Sequence, residues 1–70
     1  MQTFSFFIHS AKSSTPFLSM VVASDWPRLR MLAERALADS DDRLAVEVRR
    51  DDRLVFSLDK NGVSWRAEHL

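Results

Sequence analysis

The chain has no cysteine, no tyrosine and a single glycine. Without cysteine there is no disulfide staple, no thiolate metal site and no cysteine nucleophile, which fits a reducing compartment. One glycine, Gly62, leaves no phosphate-cradling glycine loop and no G-x-S-x-G nucleophile elbow. Long apolar runs are missing as well. A membrane span needs about 20 apolar residues, whereas the opening stretch Met1 to Ile8 runs into His9, Ser10 and Lys12. No basic residue precedes that stretch, as one would in a signal peptide. A mature cytoplasmic chain with no membrane partner is the expectation.

Net charge is also absent, because ten basic and ten acidic residues cancel. No global field therefore draws the chain to nucleic acid or to an anionic membrane. The distribution is uneven: residues 1 to 24 carry one charge, Lys12, and both signs are dense from Asp25 onward. Eight of the ten basic residues are arginine, the type that forms bidentate contacts with carboxylates and phosphates. Seventy residues suffice for one domain, residues 1–70, with one modest core. A partner or a second copy would supply burial that a chain this short lacks.

What is present is alternation. Phe4, Phe6 and Ile8 recur with period two and predict a half-buried strand. A Ser/Thr/Pro-rich loop from Ala11 to Pro16 leads to a second strand, Phe17 to Ala23, whose inner face is expected to be Leu18, Met20 and Val22. Ser24 or Asp25 then offers an N-cap and Pro27 a first-turn residue. To about Asp39 the period becomes helical, with Trp26, Leu29, Leu32, Ala33, Ala36 and Leu37 on one stripe. Three further strands follow, marked by Leu44, Val46 and Val48, by Leu54, Phe56 and Leu58, and by Val63, Trp65 and Ala67.

The turns set the register. Asn61-Gly62 predicts a type I′ hairpin pairing Lys60 with Val63, Leu58 with Trp65 and Phe56 with Ala67. At Asp51-Asp52 a two-residue turn would set Val48 opposite Val55 and turn one apolar set outward. An odd loop, such as Arg50-Asp51-Asp52, matches Val48 with Leu54 instead. A three- or five-residue loop with a bulge and a left-handed Asp is expected there. The order is ββαβββ, an α+β domain with an antiparallel sheet of four to five strands and one helix on one face. The other face is left open, with Phe7, Phe17, Val21 and Val55 as its apolar residues.

Chemistry-bearing patterns are few. Ser57-x-Asp59-x-Asn61-Gly62 with Glu68 approaches a calcium loop, but its first ligand is a serine and its flanks alternate as strands, so a hairpin explains it better. His9 and His69 fit no two-ligand spacing, although they would form a base or ligand set if the fold brought them to Asp59 or Glu68. Asp41-Asp42 and Asp51-Asp52 read as turn residues. No catalytic residue, metal site or cofactor is expected. Arg28 and Arg35 on the helix, with Arg49, Arg50 and Arg53 near one hairpin, are candidate contacts to nucleic acid or an acidic partner.

The leading expectation is a non-enzymatic protein-binding module, a homodimer among its forms, working through Phe7, Phe17, Val21 and Val55 or through an edge strand. Phage-encoded inhibitors of bacterial complexes, anti-CRISPR proteins among them, share its size and lack of catalytic motifs, an analogy of class only, and an inhibitor is one concrete form of such a module. The alternative is a nucleic-acid-associated protein using the arginines.

Overall fold

A computed structural model of the chain describes residues 1–66, those of 63–66 as backbone only. Its elements are β1 (Gln2–Ser10), β2 (Ser13–Ala23), α1 (Trp26–Ala38), β3 (Arg43–Arg50), β4 (Arg53–Asp59) and β5 (Gly62–Arg66). The strands form one sheet in the order β2-β1-β3-β4-β5, every neighbouring pair antiparallel. This is the expected ββαβββ, α+β arrangement. Strand β1 lies inside the sheet between β2 and β3, and α1 crosses from one to the other over a single face. No helix among the described residues is long and apolar enough to cross a membrane.

The helix forms where its local chemistry demands it. Asp25 takes an extended conformation (φ −149°), and its carboxylate accepts the Arg28 N–H at 2.8 Å, satisfying one of the first-turn donors. Pro27 sits in that turn, where a missing N–H is harmless. The stripe buries Leu29 and Ala33, with Trp26, Leu32, Ala36 and Leu37 packed around them. At the far end Arg43 donates to the Ala36 carbonyl at 2.6 Å, which satisfies one of the last-turn acceptors.

Beneath the helix lie Phe4, Phe6 and Ile8 of β1, Val46 and Val48 of β3, and Phe56 and Leu58 of β4, all buried. Trp26 meets Phe56 edge to face, with centroids 5.0 Å apart. Side chains of this size each contribute about 1.5–3 kcal/mol when buried, so these three strands and the helix hold most of the stability. The α1–β3 loop is fastened to the β1–β2 turn. Ala11 N–H donates to the Asp42 carbonyl at 2.8 Å, while the Asp42 carboxylate accepts from Ser10 at 2.8 Å and from Ser40.

Three expectations about register need correction. Arg50 pairs with Arg53, so the β3–β4 turn is the two-residue Asp51-Asp52 rather than an odd loop. Asp51 is left-handed (φ 55°), as expected of one of the two aspartates. The phase is restored one step later: Val48 pairs with Phe56 and Arg49 with Leu54, leaving Val55 as a bulge residue. At the β4–β5 turn the central pair is Lys60-Asn61, with Asp59 closing on Gly62 and Leu58 pairing with Val63. Gly62 (φ 109°) is therefore the first residue of β5 and not the second of a type I′ turn. An added Cβ there would meet nothing within 4 Å, so its requirement is the backbone angle alone. Ser57 then pairs with Trp65 and Phe56 with Arg66, across a second register shift. Ala67 lies outside the described residues.

The third correction concerns β2. It begins at Ser13, after a two-residue Ala11-Lys12 turn, and absorbs what reads as a loop; its ladder is irregular until Phe17 and unbroken from there to Ala23. Its inner residues are the opposite set from the one expected. Val21 pairs with Phe4 and packs against the core, and Ala23 is buried, while Leu18, Met20 and Val22 point to the uncovered face. The helix lies chiefly over β3 and the strands beside it. At the sheet's edge the small set Ser19, Val21 and Ala23 fills the narrow space that remains. Leu44 is likewise half-exposed, because the β1–β3 register shifts beside it.

Candidate functional site

The uncovered face changes character across the sheet. Antiparallel partners share a face, so Val22, Met20 and Leu18 of β2 flank Thr3, Ser5 and Phe7 of β1, which in turn flank Arg49 and Glu47 of β3. The outer row is apolar and open: Leu18 is 52% exposed, Met20 62% and Val22 53%. Phe17, 63% exposed, pairs with Ile8 and so projects from the helix side of the same edge. The inner row is ionic.

That inner row is a closed network. Glu47 Oε1 lies 2.8 Å from His9 Nε2, and Glu47 Oε2 accepts from Arg49 Nε and Nη2 at 3.3 and 3.1 Å. The Arg49 guanidinium also sits over the Phe7 ring, 5.8 Å from its centroid. The His9 hydrogen bond, followed by Arg49's hydrogen bond and charge, holds the Glu47 carboxyl below its ordinary range against the opposing effect of burial. Since Glu47 is ionised, His9 Nε2 carries the proton between them. Ser5 opens onto the same shallow depression of about 460 Å³. It lies four residues from His9 on one strand, roughly 13 Å away, so Ser5 and His9 do not form a nucleophile–base pair.

The apolar residues chosen from the sequence do not form one patch. Phe7 is on the uncovered face, half-buried beneath Arg49. Phe17 is on the other side of the edge strand. Val21 packs against the core, and Val55, the bulge residue, is 5% exposed and belongs to it. The bulge carries Val55 inward and the helix side of β2 takes Val21, so neither is available to a partner. Leu18, Met20 and Val22 take their place, and the signal that marks them is which alternate set of β2 the edge position leaves uncovered.

The arginines are similarly divided. Arg28 and Arg35 are exposed on the helix, while Arg49 is on the opposite side of the sheet and already engaged by Glu47. Arg50, one residue on, turns back to the helix side and donates to Gln2 Oε1, and Arg53 is exposed at the turn. The sheet therefore separates Arg49 from Arg28, Arg35 and Arg50. His9 meets Glu47 rather than Asp59; Glu68 and His69 lie outside the described residues. Asn61 N–H donates to Asp59 Oδ1 at 2.8 Å, a turn hydrogen bond. Among the described residues no group of three or more His, Cys, Asp or Glu is arranged to hold a metal ion. No family model matches the chain, and neither a curated protein nor a solved structure is found to be similar to it.

Proposed function

We propose that this chain is a non-enzymatic protein-binding module that uses the apolar edge formed by β2. One observation carries the reading: Leu18, Met20 and Val22 are contiguous and more than half exposed on an edge strand with unpaired backbone groups. Exposed apolar edges are a liability that folded chains normally blunt with charge, proline or bulges; in β2 Pro16 and the register shift lie before Phe17, and the segment from Phe17 to Ala23 carries none of these, which fits strand addition by a partner. An inhibitor that seats this edge on a larger bacterial complex, in the manner of anti-CRISPR proteins, is a concrete form of the proposal. The small size supports that form. Nucleic-acid binding is the second reading, and the division of the arginines between two faces counts against it.

The test is affinity capture from lysate of the source cell, with and without nuclease, comparing the wild type with Leu18→Glu/Val22→Glu. A protein retained after nuclease and lost with the double variant is the expected outcome. Equal capture by both forms would remove β2 from the reading. Capture abolished by nuclease and by Arg28→Glu/Arg35→Glu would move the function to the arginines.

A further inference from the structure

Resting on the proposed binding role of β2, we infer that the partner which fits this edge is a second copy of the chain, joined by antiparallel β2–β2 pairing about a two-fold axis at Met20. The ladder of β2 against β1 is unbroken only from Phe17 to Ala23, and Met20 is the middle residue of that segment. An axis perpendicular to the sheet at Met20 sets Leu18 opposite Val22 of the other copy, Met20 opposite itself and Ser19 opposite Val21. Phe17 of one copy comes opposite Ala23 of the other.

Each of those pairs joins residues of one face, as antiparallel pairing demands, so the exposed row of one copy lies against the same row of its mate. The segment is complementary to its own reverse, which is what a two-fold interface requires. Charge permits the match. No ionisable side chain occurs between Ser13 and Ser24, so two identical strands meet without like charges opposed. The opposite edge is shorter: β5 spans five residues against eleven in β2. Pairing edge to edge covers the outer backbone of the segment and the flanks of Leu18, Met20 and Val22, which are all more than half exposed in the single chain. The product is a continuous ten-stranded sheet, both helices on one side.

Because the chain has no cysteine, a single introduced thiol reports the register cleanly. Met20→Cys is expected to form a covalent dimer on mild oxidation, and Met31→Cys, on the helix surface, to remain uncrosslinked. By sedimentation the wild type should show twice the 8.1 kDa chain mass. Met20→Lys, which opposes two ammonium groups, should show one chain mass with an unchanged circular dichroism spectrum. A wild type that stays monomeric to millimolar concentration, or a dimer that survives Met20→Lys, overturns the inference. If that monomer still captures a nuclease-resistant protein through Leu18 and Val22, self-pairing fails while the binding role of the edge stands. If capture is also indifferent to Leu18→Glu/Val22→Glu, both fall.

Discussion

Two carboxylates show how single residues tie distant parts of the chain. Glu47 bridges β1 to the middle of β3 through His9 and Arg49, and Asp42 joins two loops through Ser10 and Ser40. Both titrate below their ordinary values in the folded chain; the Ser40 and Ser10 hydroxyls, in that order, bring Asp42 from 3.8 to about 2. The unfolded chain therefore binds more protons than the folded one as acid is added. The stability from Asp42 is complete above pH 3.8 and is lost as pH falls toward about 2. Thermal melts across that interval should fall less steeply for Asp42→Asn than for the wild type. Equal slopes would mean that the hydroxyl contacts contribute nothing to the linkage.

At the scale of elements, the helix is the most self-contained unit. Removing its cap by Asp25→Ala should cost about 1 kcal/mol, a fall of roughly 4–8 °C in Tm for a domain of this size, and Asp25→Asn should retain most of it. Differential scanning calorimetry on the three forms decides this. The cap, Pro27 and the apolar stripe were all legible in the sequence because each is set by neighbours within a turn or two. Strand existence was legible for the same reason, through period-two alternation.

Strand facing was legible only where alternation had one apolar set. In β2 both sets are apolar, and the choice between them depends on where a helix formed later in the chain comes to rest. At Asp51-Asp52 the sequence demanded one extra residue somewhere in the hairpin, and loop and strand satisfy that parity equally; the fold places it at Val55. The His9–Glu47 pair, 38 residues apart, exists only through the β1–β3 register, and no spacing along the chain announces it. Phe7 and the exposed arginines were legible as residues, whereas their division between faces was not.

On the scale of the whole molecule, the small core and the open edge belong together. A chain of this length buries about 60% of its unfolded surface, and the proposed pairing of β2 would add burial that its own residues cannot supply. Binding linked to folding raises stability with concentration. The thermal midpoint of the wild type should therefore rise as chain concentration is increased tenfold and again tenfold, while that of Met20→Lys should stay constant. A flat wild-type response would show that the edge adds nothing to stability. Charge is organised at the same scale, with the hairpin of β1 and β2, whose one charge is Lys12, at one end of the sheet and ion pairs such as Arg30–Glu34 and Arg49–Glu47 elsewhere.

The interior position of β1 carries a consequence in time. Its β2 neighbour follows it directly in the chain, but the neighbour on its other side, Arg43–Arg50, is translated more than thirty residues later. During synthesis the Phe4, Phe6 and Ile8 side of the hairpin emerges before either the helix or β3 exists to cover it. A hairpin forms in microseconds, whereas a ribosome takes seconds to deliver those residues. The nascent chain thus passes through an interval with one sticky sheet face and two open edges, which is the stage at which a chaperone has most to offer it.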